Sequence, residues 1–390
     1  MANNPHQYKT GGTTSTIDAG GAASRQLQEQ YYQKKALVEA RREQFFQPLA
    51  DVTDMPKHFG KKIVRYHYIP LLDDANVNDQ GLDASGAVIT NGNLYGSSKD
   101  IGTIPGKLPT LSEVGGRVNR VGFSRKVLEG TFANFGFFAE YTEDSLNFDS
   151  DAELLQHINR ETVNGASKIT EDQLQIDLIN SAGVVRYTGS ATSTATVDAV
   201  VTYQDLVHIG IDLDNNRTPK QLTMLTGTRL TDTRTIPNAR ALYVGSELLP
   251  TLYAMKDLHN QPAFIHAHQY AAGTTIMNGE IGSIGMFRVI NVPDMLKWTG
   301  GGADSTDPDF YVTGGKKDVF PMLVVGEGSF TTIGFQTDGK SVKFKQMHKK
   351  PDIDYNDPYG KTGVMSIQWW YGFMALRPER IALIQTAAKK

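Results

Sequence analysis

Between Ser150 and Ser181 the chain reads SDAELLQHINRETVNGASKITEDQLQIDLINS. Ser150 and Glu153 have the spacing of a capping box, in which a hydroxyl and a carboxylate satisfy each other's backbone N–H groups. Leu154, Leu155, Ile158, Ala166, Ile169, Leu174 and Leu178 then recur at helical spacing, and the pattern predicts one long helix. Gly165 and Thr170 weaken its middle, and Gly183 marks its stop. Continuous to Ser181, it is about 45 Å long at 1.5 Å per residue. A helix of that length with a single apolar stripe acts as a spine across a flat domain. It argues against a compact β-sandwich.

Upstream, TFANFGFFAEY (131–141) carries four Phe and a Tyr. Packing of a strand against a helix accounts for it better than cofactor stacking. KKIVRYHYIP (61–70) reads as a strand, rich in β-branched and aromatic residues. A second strand is expected over 117–128, where Val121, Phe123 and Val127 alternate with Arg120, Gly122, Ser124 and Lys126. Between them, 71–116 holds Gly, Asn, Asp, Ser and Pro throughout and no periodic segment, an unusual loop for a compact domain. Two strands flanking so long an irregular stretch predict a projecting β-arm, whose apolar residues need a neighbour. Before it, 1–23 is polar and rich in Gly, Thr and Ala, as expected of a flexible arm. Residues 24–47 suggest an amphipathic helix, with Leu27, Tyr31, Val38 and Phe45 near one face and Lys34, Lys35, Glu39, Arg41, Arg42 and Glu43 opposite; Pro48 ends it. Docking on a partner and packing on its own domain fit that pattern equally.

Downstream, 184–201 is Thr/Ser/Ala/Val-rich and reads as exposed. Thr202 and Asp205 cap a short helix bearing Leu206, Ile209 and Leu213. A buried strand is expected at 238–245, then a helix from Ser246 with Leu249, Leu252 and Tyr253 inward. The segment 278–290 reads as a Gly-punctuated turn followed by a strand, and 299–310 as a loop. Further strands are expected at 319–326, 329–335, 364–376 and 381–384, with a turn at 377–379. Along 364–376, Met365, Ile367, Trp369, Tyr371 and Phe373 share one face. No internal repeat of fixed period occurs.

Composition narrows the function classes. The 390 residues predict two or three domains at roughly 100–200 residues each. Charge is balanced, 39 Lys+Arg against 42 Asp+Glu, which excludes a strongly basic nucleic-acid binder and a polyacidic tail. With no Cys, disulfides, thiolate metal sites and Cys nucleophiles are excluded. No run of about 18 apolar residues occurs, and no signal peptide is expected. Gly (38) and Pro (16) make the chain rich in turns for a compact enzyme, but too irregular for collagen.

No catalytic constellation emerges. Gly102–Lys107 lacks the spacing of a phosphate-binding loop and is followed by Leu108, and there is no nucleophile elbow. His266 and His268 would share a strand face and could ligate zinc, with His259 nearby, but no third ligand stands at suitable spacing. Asp352, Asp354 and Asn356 resemble the start of a calcium loop, yet Asp357 stands where Gly is needed and Gly363 where Glu is needed. Arg41-Arg42 and Lys349-Lys350 are isolated basic pairs of the kind found on solvated surfaces. The expectation is therefore no catalytic, cofactor-binding or metal residues, no cofactor, and no enzymatic activity. Arm, docking helix, β-projection and spine all want partners, as in a chain built for assembly.

Three segments carry a specific resemblance. NGEIGSIGMFRVI (278–290), TFANFGFFAEYTEDS (131–145) and DPYGKTGVMSIQWWYGFMAL (357–376) resemble, in order and spacing, segments of the major capsid proteins of tailed phages like coliphage N-four. These segments lie in the region after residue 60, and none is catalytic. The resemblance implies the Hong-Kong-97-type capsid fold, of α+β class, with an N-terminal arm, an extended β-loop, a peripheral domain with a long spine helix, and an axial domain. The expected boundaries are 1–60 for the arm with its amphipathic helix and 61–130 for the extended loop. The peripheral domain is expected at 131–183 and 346–390, and the axial domain at 184–345.

The resemblance further implies a subunit that assembles with itself into hexamers and pentamers of an icosahedral shell enclosing double-stranded DNA. Portal, scaffolding and decoration proteins are the expected partners, contact with packaged DNA is weak and non-specific, and no membrane is involved. The expected place is the virion capsid, assembled in the cytoplasm of a bacterial host. Some shells of this fold form Lys–Asn crosslinks; Lys99 and Lys107 lie in the extended loop, but nothing marks an acceptor or a catalytic carboxylate. The alternatives are another virion subunit, such as a tail-tube or decoration protein, and a metal-dependent hydrolase using His266 and His268.

Overall fold

The computed structural model describes residues 44–58, 60–69, 80–82, 88–93, 101–102, 111, 123–148, 154–225, 233–237, 240–270, 279–335, 342–355 and 357–390. The expected arm 1–23, most of the helix 24–47, the Ser150–Glu153 cap, Lys99 and Lys107 lie outside these residues. The early strands are β1 (Asp51–Met55), β2 (Lys62–Ile69), β3 (Gln80–Leu82), β4 (Val88–Asn93), β5 (Ser124–Thr142) and β6 (Val184–Tyr187). Then come β7 (Gln221–Leu225), β8 (Thr233–Pro237), β9 (Arg240–Val244), β10 (Phe264–His266), β11 (Glu280–Ile284) and β12 (Phe287–Asn291). The last are β13 (Val312–Thr313), β14 (Lys316–Lys317), β15 (Val319–Val325), β16 (Phe330–Phe335), β17 (Phe344–Lys349), β18 (Thr362–Ala375) and β19 (Ile381–Ala387). The α-helices are α1 (Glu143–Phe148), α2 (Leu154–Asn180), α3 (Tyr203–Asn215) and α4 (Leu249–Tyr253).

The chain divides into two compact units, one of residues 1–60 and 132–390, the other of 61–131. In the smaller unit β2 pairs antiparallel with the first half of β5, from Lys62 opposite Thr131 to Ile69 opposite Ser124. The hairpin β3–β4 lies within the connection. The expected strand 61–70 is β2; the expected strand 117–128 is β5, which begins at Ser124 and continues through the aromatic run into the larger unit.

The larger unit holds two sheets. The first has the order β1-β16-β18-β5, with β17 also paired to β18. Strand β18 alternates as its sequence demands: Met365, Ile367, Trp369 and Tyr371 are buried, and the residues between them are half-buried. Phe135 and Phe137 of β5 stand opposite Trp369 and Ile367, and both rings lie within about 6 Å of the Trp369 ring, the cross-strand packing that stabilises a sheet face. Helix α2 packs here. Gly165 does not interrupt it: a Cβ at that position would stand 3.3 Å from the Phe137 ring, so its absence leaves room for the phenyl group. Thr170 is accommodated by donating its hydroxyl to the Ala166 carbonyl at 2.8 Å, which satisfies a buried polar group within the helix.

The second sheet runs β10-β11-β12-β9-β15-β19-β6. Strands β9, β15 and β19 are buried along their whole lengths, because both faces are covered and continuous apolar runs result. Tyr243, Leu323 and Leu383 belong to one core cluster with Leu174 and Leu178 of α2 and Ile367, Trp369 and Tyr371 of the first sheet. Leu242, Val244, Met322 and Ile384 join Leu206, Ile209 and Leu213 of α3 in another. The long helix thus shares a core with both sheets. Helix α3 begins with the capping box of Thr202 and Asp205.

Several expectations need correction. Residues 280–291 form the hairpin β11–β12 rather than a turn and one strand, with Gly285 at φ +55° in the turn, a conformation glycine adopts without a Cβ penalty. The stretch 184–201 is not simply exposed: Thr188, Val197 and Val201 are buried. Tyr253 faces out, 44% exposed, although its ring packs on Phe264 at 4.8 Å. Helix α1 has no counterpart in the sequence reading. The boundary drawn at 345/346 separates strands that pair: β16 hydrogen-bonds with β18 in the first sheet, and β19 with β15 in the second. The sequence order of strands is not their sheet order, and only long-range pairing sorts them.

Candidate assembly interface

The antiparallel ribbon of the smaller unit exposes apolar side chains that its own strands cannot cover. Val64, Tyr66 and Tyr68 share one face of β2, opposite Glu129, Val127 and Arg125 of β5. Val64, Tyr66, Tyr68 and Val127 are all exposed, Tyr68 by 61%. The Arg125 guanidinium lies 4.2 Å above the centre of the Tyr66 ring, and Lys62 pairs with Glu129 at 2.5 Å. The sequence signal was the period-two pattern; what it could not show was that, among the described residues, no layer covers this face.

In the larger unit the chain at Phe45–Gln47 is pinned to the long helix. Glu171 Oε1 accepts the backbone N–H of Phe45 at 2.8 Å and of Phe46 at 2.6 Å, and Oε2 accepts that of Gln47 at 3.3 Å. Successive N–H groups converging on one carboxylate form an anion nest. Burial raises the Glu171 carboxyl above its usual range, and the three N–H bonds oppose this without cancelling it. Phe46 is buried, its ring 4.8 Å from that of Tyr243, and β1 then adds to the first sheet in parallel with β16. Two turns along the helix, Asp177 accepts from the Tyr371 hydroxyl at 2.9 Å; burial raises the Asp177 carboxyl too, against that bond. The sequence pattern singled out neither acid, because a lone carboxylate in an amphipathic helix ordinarily faces water.

The turn between β17 and β18 is held by hydrogen bonds of its acidic side chains. Lys349 Nζ reaches Asp354 at 2.7 Å. Asp354 and Asp357 exchange backbone hydrogen bonds at 3.1 Å. Asp357 accepts from the Thr362 N–H at 2.6 Å and hydroxyl at 2.5 Å, bonds that hold its carboxyl below the usual range. Gly360, at φ +63°, closes the turn. From this frame Ile353, Tyr355 and Tyr359 project into solvent, Tyr355 96% exposed. The resemblance of Asp352 and Asp354 to a calcium loop dissolves: Asp354 pairs with lysine, Asp357 with Thr362, and Asn356 lies outside the described residues. Gly363 stands opposite Tyr141 in β5, where a Cβ would come within 2.3 Å of the ring.

His266 and His268 do come together, their rings stacked 5.2 Å apart, and His266 packs on Phe264 and Tyr253. His259 sits in the turn after α4, its N–H donated to Asp257. Among the described residues no group of three or more His, Asp or Glu could hold a metal ion. No described helix is long and apolar enough to cross a membrane. Of the Gly102–Lys107 segment only Gly102 is described.

No protein-family model matches the chain. The chain is 59% identical over 395 residues, covering 99% of each chain, to the major capsid protein of Pseudomonas phage KPP21. Its fold is similar to the capsid of Ralstonia phage GP4, with a TM-score of 0.60 at 11% identity over 97% of this chain and 99% of that one. It is also similar to the capsid of cyanophage Pam1, with a TM-score of 0.55 at 11% identity over 95% and 99%.

Proposed function

The chain belongs to the family of phage major capsid proteins and has the Hong-Kong-97-type capsid fold, and from that premise we propose that it closes into hexamers and pentamers of an icosahedral shell around double-stranded DNA. The carrying observation is the 59% identity along the full length of a phage major capsid protein. Physical features support the reading. A shell requires heterologous contacts that close by rotation, so each subunit must present surfaces it cannot satisfy alone. The ribbon of β2 and the first half of β5 is such a surface, and we assign the unit 61–131 as the extended loop lying on a neighbouring subunit. Within the larger unit, the long helix with the first sheet is assigned as the peripheral part and the second sheet with α3 as the axial part. Strands β1 and β16 go with the former and β19 with the latter.

A formal charge of −3 suits a wall that touches DNA without gripping it, since tight phosphate binding needs many basic contacts. Portal, scaffolding and decoration proteins are the proposed partners, and the bacterial host cytoplasm the proposed place of assembly. The role is structural rather than enzymatic, and His266 and His268 have none in it. The test is electron microscopy of the protein expressed alone and with its neighbouring genes. Closed shells or hexamer-sized rings are expected; a monomer under every condition would overturn the proposal.

A further inference from the structure

The Tyr243 side chain of β9 is buried, and among the described residues its hydroxyl has no hydrogen-bond partner. A buried donor without an acceptor is costly, and native folds hold few of them. Burial and the nearby charge of Glu171 keep its proton on well above the usual tyrosine range, so the hydroxyl remains a donor. Phe46 stands between the two groups. Its ring lies 4.8 Å from the Tyr243 ring, and its N–H is bound by Glu171 at 2.6 Å. The carboxylate is thus taken by Phe45, Phe46 and Gln47, while the tyrosine beside it goes without. All three N–H groups belong to one segment. That segment runs on into β1, which lies at the edge of the first sheet with β16 as its neighbour. Edge segments held by few bonds open locally at lower free energy than the core.

We propose that residues 45–55 form a detachable strap, and that Tyr243 is the second partner of Glu171, taking the carboxylate when the strap lets go. In the closed state the strap's N–H groups occupy Glu171. When the strap lifts, Phe46 leaves the Tyr243 ring, Glu171 loses three donors, and the tyrosine hydroxyl supplies one in their place. The carboxylate is therefore not left buried and bare, the state that would otherwise oppose opening. The orphan hydroxyl of the closed state is the reserve donor of the open one. Glu171 with its two sets of partners makes a two-state element, and opening leaves the core of Leu174, Leu178 and Trp369 packed.

The experiment is hydrogen–deuterium exchange of the full chain as unassembled subunit, read peptide by peptide by mass spectrometry, with the melting temperature as the folding control. In the wild type the amides of 45–55 should exchange faster than those of β15 and β18. Tyr243→Phe takes no hydrogen bond from the closed state and removes a charge-assisted one from the open state. The 45–55 amides should then exchange roughly tenfold more slowly, with melting no lower. Glu171→Ala removes the latch and should speed the same amides by roughly tenfold or more, leaving β15 and β18 unchanged. In the Glu171→Ala background, adding Tyr243→Phe should change nothing further, because the hydroxyl then has no carboxylate to take. If Glu171→Ala does not fold, Glu171→Gln keeps one acceptor oxygen and should speed exchange by less. Unchanged or faster exchange in Tyr243→Phe would overturn the exchange of partners. Wild-type amides of 45–55 that exchange no faster than those of β15 and β18 would overturn the strap.

Discussion

Leu178→Ala tests whether the long helix joins two sheets into one cooperative body. Leu178 is fully buried, in the cluster that contains Trp369 and Tyr371 of the first sheet and Leu323 and Leu383 of the second. Truncation removes three buried carbons, about 2.4 kcal/mol of transfer free energy at about 0.8 kcal/mol per methylene. The cavity left between two sheets that cannot both collapse inward adds to this, so the expected loss is about 3–4 kcal/mol. Ile176, on the same helix but 41% exposed, is the control; its truncation should cost less than about 1 kcal/mol. The assay is urea unfolding of the unassembled subunit, followed by far-ultraviolet circular dichroism and by fluorescence of Trp298, Trp369 and Trp370. Both probes should report one transition, moved to lower urea by Leu178→Ala with its slope unchanged. Two transitions, of which the substitution moves only one, would refute the shared core and make the sheets separate domains.

Other outcomes follow from particular residues. Gly363→Ala places a methyl group 2.3 Å from the Tyr141 ring and should break the hydrogen bond of Tyr141 with His348; a loss of about 1–3 kcal/mol is expected in the same unfolding assay, and wild-type stability would show that the strands β5 and β18 can part at no cost. Burial raises the carboxyls of Glu171 and Asp177 in the folded chain, so protonation contributes stability that is complete below their ordinary values and is lost as pH rises through the raised ones. Unfolding midpoints measured upward from pH 4 should carry this downward contribution, and Glu171→Gln should remove its share; an unaltered pH slope in that variant would contradict the burial argument. Deleting residues 73–115 should leave the larger unit folded, with its melting temperature unchanged, while abolishing closed shells; normal shells from the deletion would refute the extended-loop assignment.

Local pattern made much of this chain legible. Helical periodicity fixed α2 to within a few residues, the Thr202–Asp205 cap fixed the start of α3, and alternation in β18 placed Met365, Ile367, Trp369, Tyr371 and Phe373 on one face, of which the first four are buried and Phe373 is half-buried. These are properties of neighbours three, four or two residues apart, which a sequence displays directly. The resemblance of three segments to phage capsid proteins supplied the function, which no local pattern contains. Strand partnership, by contrast, joins residues hundreds of positions apart. Nothing in 330–335 or 381–387 by itself says which sheet receives it, and strand pairing runs across the boundary drawn at 345/346. The same limit hid Glu171. A carboxylate in a helix looks solvated until the fold brings three N–H groups of a distant segment onto it. It hid Tyr355 as well, because aromatic residues in a turn look like core until the hydrogen bonds of Asp354, Asp357 and Thr362 aim them at solvent. Sequence determined the elements and which of their faces are apolar. Tertiary structure alone decided which apolar faces meet within the subunit and which stay exposed, because burial depends on what the rest of the chain brings to each face.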